Sequence, residues 1–176
     1  MARIGIYGGS FNPPHLGHIF AARKARQLLG LDKILLIPAA IPPHKAVAEG
    51  SPDGETRFAL TQLAIAGETG MEVSRIELDR PGPSYTVDTL RALRESYGQD
   101  ELYLLMGTDM FLTFQYWYKP DEIVQYAGLC AFGRTEKDGE DWTVTVTSEV
   151  LRPAGTPIAG IRLRQTCLLY TSDAAD

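Results

Sequence analysis

The stretch YGGSFNPPHLGH, residues 7–18, follows an apolar run, ARIGI, and precedes a helix-like segment. Its first two glycines, Gly8 and Gly9, let the backbone turn and approach a ligand closely, while Pro13 and Pro14 stiffen the start of the helix. A glycine-bearing turn between a strand and a helix N-terminus, at the carboxyl edge of a parallel sheet, readily binds phosphate. The stretch therefore predicts an α/β fold whose first turn faces a phosphate-bearing ligand.

The rest of the chain alternates between strand-like and helix-like segments. Short apolar runs typical of buried strands lie at 2–7, 33–39, 71–76, 101–107 and 129–134. Helix-like segments lie near 17–29, 55–67, 84–97 and 119–127. Such alternation predicts a parallel sheet with right-handed crossovers and helices on its faces. The sequence contains no internal repeat and no low-complexity linker, so a single domain is expected.

Composition limits the classes of protein to consider. The 176 residues, 44% hydrophobic and 22% charged, are typical of one soluble domain with a sizeable core. A net charge of -5 argues against broad binding to nucleic acid or anionic lipid. The sequence has no apolar leader and no run that approaches a membrane span, so we expect a cytoplasmic protein. Two cysteines, Cys130 and Cys167, form neither a disulfide framework nor a metal-binding spacing.

Two histidines mark the start of the first helix. On a helical wheel, His18 begins a stripe that is expected to pack on the sheet, so its imidazole points at the strand ends. The other members of that stripe are Ala21, Ala22, Ala25, Leu28 and Leu29. His15 lies three residues earlier, which is near enough on a helical surface to share a ligand with His18. The alternative is a Gly/Pro loop that carries two surface histidines.

Five motifs carry a resemblance to a known family. The stretch GIYGGSFNPPHLGH resembles the signature of the H-x-G-H nucleotidyltransferase superfamily. Taken with four further stretches, it is similar to the bacterial nicotinate mononucleotide adenylyltransferases, in register from about residue 2 to about residue 134. These stretches are IPPHK (41–45), GPSYTVDTL (82–90), MGTDMF (106–111) and WYK (117–119). The resemblance implies a Rossmann-like α/β fold of nucleotidyltransferase type, with a parallel sheet and helices on both faces.

The resemblance also implies an activity. An enzyme of this family joins nicotinate mononucleotide to ATP in NAD biosynthesis, giving deamido-NAD and pyrophosphate, with Mg²⁺ bound to the ATP. The expected partners are thus ATP and nicotinate mononucleotide, with no nucleic acid and no membrane, and a homo-oligomer is left open. Two alternatives remain: a sister enzyme for another phosphate acceptor, such as pantetheine phosphate, or a non-catalytic, truncated nucleotide-binding remnant.

Residues at the first turn are assigned to ATP and to catalysis. The mononucleotide's phosphate has a second pKa of ~6, so it can act as the nucleophile without a protein base. The protein must hold two anions in line and neutralise developing charge. We expect phosphate to draw the histidines towards the protonated form, with His18 on the α-phosphate and His15 on the phosphate chain. The assigned catalytic residues are His15, His18 and Lys45, and no residue is assigned to a metal. The assigned ATP-binding residues are Gly8, Gly9, Ser10, Phe11, His15, His18, Gly107 and Asp109.

A second set of residues is assigned to the mononucleotide. By the resemblance these are Asn12, His44, Lys45, Tyr85, Thr86 and Trp117. Trp117 is expected to stack on the pyridine ring, and Thr86 to contact the nucleotide through its hydroxyl and N–H. Structural alternatives stay open for several of these stretches: Ser84 or Thr86 as a helix cap, Asp109 as an N-cap, and His44 with Lys45 as solvated loop charge.

The resemblance fails at the end of the chain. The family completes its ATP site with an S-S-T-x-x-R segment, whereas TPIAGIRLRQT (156–166) offers Arg162 and Arg164 without paired Ser/Thr. The last ten residues, CLLYTSDAAD, can be back-translated into codons that resemble a transposase sequencing adapter. We therefore interpret residues 1–166 as one nucleotidyltransferase domain, incomplete at its C-terminus, and residues 167–176 as a non-native tail.

Overall fold

The computed structural model describes residues 1–134 and 166–171. Its strands are β1 (Arg3–Gly9), β2 (Lys33–Pro38), β3 (Met71–Val73), β4 (Glu101–Gly107), β5 (Gly128–Arg134) and β6 (Thr166–Thr171). Its helices are α1 (Leu16–Leu29), α2 (Gly54–Ala64), α3 (Thr86–Tyr97), α4 (Thr108–Leu112) and α5 (Pro120–Tyr126), with a 3-10 turn at Phe114–Tyr116. Among the helices of these residues, none is long and apolar enough to cross a membrane.

All neighbouring strands in the sheet are parallel, in the order β3-β2-β1-β4-β5-β6. Chain connections run outwards in opposite directions from the β1/β4 pair, which makes this pair the topological switch point. In such sheets ligands bind outside the carboxyl ends of the strands at that point. The prediction of a Rossmann-like α/β fold is confirmed.

The predicted strands and helices are found, with boundary shifts of a few residues. The sequence missed α4 and the following 3-10 turn, because one turn of helix is too short to show a helical period. It also assigned six residues to the third strand, of which three pair with β2.

Two of the predictions from sequence concern the C-terminal part of the chain. Strand β6 lies almost entirely in the segment interpreted as a non-native tail and pairs with β5. The origin of that segment stays a prediction. Arg162 and Arg164, considered for the phosphate site, lie outside the described residues.

The two faces of the sheet carry separate apolar clusters, because side chains alternate along each strand. Ile4 and Ile6 of β1 pack in one cluster with side chains from α3 and α5. Ile34 and Leu36 of β2 pack in the other with side chains from α1. Helices therefore cover both faces and leave the strand ends free to carry the site.

Helix α1 buries a slightly different stripe from the one predicted. Its buried residues are Ile19, Ala21, Ala22 and Ala25, and His18 is half-buried beside them. Leu28 is 53% exposed, so its assignment to the stripe was wrong. Compared with the predicted stripe, the buried face of the helix extends further towards Ile19 on one side and does not reach Leu28 on the other.

Gly5 lies at the centre of the sheet where no side chain fits. A Cβ there would be 2.9 Å from Leu31 Cδ1 and 3.1 Å from both Ile34 Cγ1 and Leu105 Cδ1. Gly8, in the same strand, would place a Cβ with nothing within 4 Å. An added methyl group would therefore meet packed side chains at Gly5 and open space at Gly8.

We expect Gly5→Ala to lower the free energy of unfolding by about 1–3 kcal/mol, because overpacking a core forces its neighbours to move. Gly8→Ala is the matched control, and its effect should stay within about 0.5 kcal/mol. Urea unfolding followed by circular dichroism measures both. Equal stability of the two variants would contradict the packing argument.

Candidate active site

The turn between β1 and α1 is built around Phe11. Its backbone has φ 45°, which is uncommon for a residue other than glycine, and its side chain is 1% exposed. The ring contacts Tyr7, with centroids 5.7 Å apart, and His18, with centroids 5.0 Å apart. The Phe11 side chain is therefore part of the core, and only its backbone remains for the predicted contact with ATP.

The two histidines lie against each other at the start of α1. The backbone N–H of His15 donates to Nδ1 of His18 at 3.1 Å, and the two rings stack with centroids 3.8 Å apart. Gly17 makes room for this arrangement, because a Cβ there would lie 2.9 Å from Cε1 of His15. The H-x-G-H pattern thus needs its glycine so that the first ring can fold back over the second.

His18 has a strongly lowered pKa. Burial, and then the neighbouring His15, lower the pKa of His18 to about 4. Nδ1 accepts a hydrogen bond, so the neutral ring carries its proton on Nε2. His18 is therefore a neutral single donor at pH 7, and the protonated, doubly donating ring expected from the sequence depends on a bound phosphate to raise this pKa.

Sequence reasoning missed Arg57 on α2. This side chain is 3% exposed, and burial lowers the pKa of its guanidinium. Its Nη1 donates to the carbonyl of Ser10 at 2.6 Å and its Nη2 to that of Ala39 at 2.7 Å. Nε donates to the carbonyl of Pro52 at 3.3 Å. Arg57 thus ties the loop after β1 to the loop after β2.

A sequence signal for Arg57 existed. That signal was weak: Arg57, Thr61 and Ile65 recur at four-residue spacing and form the buried face of the helix, but two of them are polar. The apolar Leu60 and Leu63 are exposed. A charged residue on such a stripe is rarely buried unless it is paired. Its carbonyl partners come from distant loops, which the local pattern does not reveal.

Ser84 joins the loop after β2 to the start of α3. Its Oγ accepts from the N–H of Ala40 at 3.0 Å and of Ile41 at 3.3 Å, and its own N–H donates to the carbonyl of Ile41 at 2.9 Å. Tyr85 precedes the helix and makes no capping side-chain bond. The suggestion that Ser84 or Thr86 caps α3 was therefore wrong, since Thr86 is the first helical residue.

Two of the residues assigned to the mononucleotide, His44 and Trp117, contact each other. His44 stacks on Trp117, with centroids 5.0 Å apart and planes at 30°, and burial lowers the pKa of His44. Trp117 is 9% exposed, and Tyr85 packs on Tyr118 with centroids 4.6 Å apart. Lys45 follows His44 on the same exposed loop. The imidazole of His44 thus covers one face of the indole that is expected to stack on the pyridine ring.

The remaining assigned residues line the same edge of the sheet. Gly9 ends β1, and its carbonyl accepts from the N–H of Ala39 at 2.9 Å. Asn12 is exposed and donates through Nδ2 to Ser51 Oγ at 2.9 Å.

The start of α4 lies at this edge too. Gly107 ends β4 and occupies the N-cap position of α4, and Asp109 is exposed in the first turn. The alternative that Asp109 is an N-cap was therefore wrong, and its carboxylate is exposed.

No group of three or more His, Cys, Asp or Glu side chains within the described residues could hold a metal ion. The resemblance to nucleotidyltransferases implies a divalent metal, which is expected on the ATP.

The fold and the histidine pair define a class of protein. The sequence profile of the cytidylyltransferase-like family matches residues 6–162, and the chain belongs to this family of nucleotidyltransferases. The Plasmodium falciparum nicotinic acid mononucleotide adenylyltransferase, solved in complex with NaAD, has the same fold, with a TM-score of 0.72 at 17% identity. That alignment covers 98% of this chain and 76% of the Plasmodium chain.

Closer relatives narrow the class. A protein of Thermus thermophilus named "Probable nicotinate-nucleotide adenylyltransferase" is 42% identical over 162 residues, which is 92% of this chain and 86% of the relative. A protein of Gloeobacter violaceus with the same name is 49% identical over 122 residues, or 69% of this chain and 59% of the relative. Within its class the chain is a member of the nicotinate-nucleotide adenylyltransferase family.

The histidine geometry predicts an unusual titration. The chain contains three histidines, so proton NMR can follow each one. We expect His18 to titrate near pH 4 and His15→Ala to raise the pKa of His18. The value should remain below the usual ~6.5, because burial is the larger cause. An unchanged pKa of His18 in the variant would show that the two rings do not interact electrostatically.

Proposed function

We propose that this chain transfers the adenylyl group of ATP to nicotinate mononucleotide, giving deamido-NAD and pyrophosphate in NAD biosynthesis. The stacked pair of His15 and His18, at the carboxyl end of β1 and the start of α1, carries the proposal. The shared name of the sequence relatives supports the choice of acceptor.

The proposed reaction needs no protein nucleophile. An oxygen of the mononucleotide's phosphate attacks the α-phosphorus of ATP and forms the new P–O bond. The bond from that phosphorus to the oxygen bridging to the β-phosphate breaks, and its electron pair leaves with pyrophosphate. With a second pKa of ~6, the attacking phosphate is ionised at neutral pH, so the protein's task is alignment and charge stabilisation.

His18 supplies a fixed donor in this scheme. Its Nδ1 is held by the N–H of His15, so the free Nε2–H is the group that would donate to the α-phosphate. Such a preoriented donor needs no reorganisation when charge develops in the transition state. His15 and the N–H groups at the start of α1 would meet the rest of the phosphate chain, where the positive end of the helix favours anions. The ATP contacts assigned to Gly8, Gly9, Ser10, Phe11, Gly107 and Asp109 belong to the same proposal.

Magnesium enters this proposal as part of the substrate. Phosphate oxygens are hard ligands that suit Mg²⁺, which commonly keeps several waters and binds nucleotide phosphates. Bound to ATP, it would offset charge on the β- and γ-phosphates as pyrophosphate leaves.

The mononucleotide would occupy the neighbouring half of the site. The indole of Trp117 would stack on the pyridine ring, after His44 moves from the indole face on which it lies in the free protein. Thr86 would present its hydroxyl and backbone N–H at the start of α3, where the first N–H groups have no partner within the helix. Lys45 would approach the phosphate from the loop after β2, with Asn12 and Tyr85 at the margins.

The proposal also covers the location of the reaction, the extent of the domain and the oligomeric state. We place the reaction in the cytoplasm, where ATP is available, in a single catalytic domain over residues 1–166. A homo-oligomer remains compatible with it.

A release assay for pyrophosphate with ATP and a panel of phosphate acceptors, including pantetheine phosphate, tests the acceptor. Turnover confined to another acceptor would replace nicotinate mononucleotide in the proposal, and no turnover with any acceptor would favour a nucleotide-binding remnant.

His18→Ala should lower kcat far more than it raises KM for the mononucleotide. Loss of one preoriented donor typically costs ~3 kcal/mol in the transition state, or 10²–10³ in rate. His18→Gln, which retains an N–H donor near the same place, should recover part of the loss. Steady-state pyrophosphate release measures both variants. A near-normal kcat for His18→Ala would remove this residue from the chemistry.

Substitution of Trp117 should weaken the mononucleotide and leave ATP affinity nearly unchanged. Aromatic stacking on a base contributes ~1–3 kcal/mol, so Trp117→Ala is expected to lose about tenfold in affinity or more. Because Trp117 is also part of the core, Trp117→Phe serves as the folded comparison that keeps a smaller stacking face.

Thr86 is likewise expected to affect the affinity for the mononucleotide and not that for ATP. Thr86→Ala should weaken the mononucleotide, and Thr86→Ser, which retains the hydroxyl, should bind it nearly as the wild type does. Calorimetric titration with each substrate distinguishes the two halves of the site. A fall in ATP affinity with unchanged mononucleotide affinity would mean that the two subsites are reversed.

A further inference from the structure

A buried polar network lies behind the mononucleotide half of the site. Ser84, Glu77 and Thr89 are 4%, 6% and 2% exposed. The hydroxyl of Thr89, on α3, donates to Oε1 of Glu77 at 2.8 Å. The Ser84 side chain is also close enough to the Glu77 carboxyl to lower its pKa, as a smaller influence than Thr89 and Arg80. None of the roles argued above for the reaction uses Glu77 or Thr89.

The hydroxyl of Ser84 is the point where this network meets the loop after β2. Its oxygen accepts the N–H groups of Ala40 and Ile41, so its own proton needs an acceptor elsewhere. An ionised carboxylate only accepts hydrogen bonds, so Glu77 fixes the direction of that proton. With the proton turned towards Glu77, the lone pairs of Ser84 remain available to the two loop N–H groups.

Both segments joined at Ser84 carry residues assigned to the mononucleotide. His44 and Lys45 follow Ile41 after two prolines, and Tyr85 and Thr86 follow Ser84 directly. A shift of the loop relative to α3 would therefore separate the groups expected to surround one ligand. Small misplacements of binding groups have large effects on positioning.

We propose that Glu77 is a positioning residue that acts through Ser84 to hold the loop after β2 against the start of α3, and so sets the geometry of the mononucleotide subsite. The inference rests on the proposed function. Glu77 acts through Ser84 and contacts neither substrate.

The charge surroundings of Glu77 fit this role. Burial raises the pKa of Glu77 to about 7, while hydrogen bonding from Thr89 and the charge of Arg80 oppose the rise. Arg80 donates through Nη2 to Thr89 Oγ1 at 2.9 Å and to the Tyr85 carbonyl at 3.3 Å. The carboxyl is mostly ionised at pH 8, which is therefore the pH for the test.

The experiment compares three variants of the full chain at pH 8. Ser84→Ala removes the acceptor for the two loop N–H groups. Glu77→Gln keeps the shape of the side chain but introduces a donor that can face the Ser84 hydroxyl. Thr89→Val removes the hydrogen bonds of Thr89 to Glu77 and to the Tyr85 carbonyl but none to the loop after β2, and is the control for buried hydrogen bonds lost away from that loop. Thermal unfolding by circular dichroism checks that each variant folds.

Calorimetric titration with nicotinate mononucleotide and, separately, with a non-hydrolysable ATP analogue gives the decisive readout. Ser84→Ala and Glu77→Gln should each weaken the mononucleotide by about tenfold and change the ATP-analogue Kd by less than about twofold. Thr89→Val should melt at a lower temperature and bind both ligands like the wild type. Ser84→Thr, which restores a hydroxyl, should recover mononucleotide affinity.

The outcomes separate the two proposals. A wild-type chain that binds neither nicotinate mononucleotide nor the ATP analogue overturns the proposed function itself. Binding by the wild type together with unchanged mononucleotide affinity in folded Ser84→Ala overturns only the positioning role. Equal losses for both ligands, or a loss in Thr89→Val as large as in Glu77→Gln, would show general destabilisation and would also overturn it. If Glu77→Gln does not fold, Ser84→Ala against Ser84→Thr decides.

Discussion

The parallel pairing of β1 between β2 and β4 is the constraint on which the site depends. Ile6 is registered with Leu35 on one side and Leu104 on the other, so the three strands end at the same edge of the sheet. Parallel strands need crossover connections, and the loops that leave this edge are the ones that carry the assigned residues. The histidine turn, the loop with His44 and the start of α4 are neighbours for this reason.

Strand pairing alone leaves these loops free to diverge beyond the last paired residue. Two buried side chains prevent this. Arg57 binds the carbonyls of Ser10 and Ala39, and Ser84 binds the N–H groups that follow Ala39. The loop after β2 is therefore fixed at its base from both sides, while His44 and Lys45 beyond it remain exposed. Buried polar groups that satisfy distant backbone atoms provide positions that an apolar core does not specify.

The sequence was sufficient for five of the six strands described and for the histidine turn, because these depend on local patterns, but it missed β6. Apolar runs of strand length predicted five parallel strands, and Gly8 to His18 predicted the turn. Arg57 and Ser84 were missed as organising residues because their partners in the loops are far away in the chain. The loop carbonyls bound by Arg57 lie 18 and 47 residues from it, and the loop N–H groups bound by Ser84 lie more than 40 residues from it. The stack of His44 on Trp117 was missed for the same reason, since a sequence pattern gives no register between loops from different strands.

Desolvation sets the protonation of His18 before any phosphate binds. A phosphate-binding sequence favours charged imidazoles, yet burial is the largest influence on His18, His44, Arg57 and Glu77, and in each case it disfavours the charged form. Arg57 alone among them keeps its charge throughout the neutral range, because its ordinary pKa is so high. An anionic ligand bound beside His18 would raise the pKa of its imidazole, so binding of the anion and protonation of His18 are thermodynamically linked.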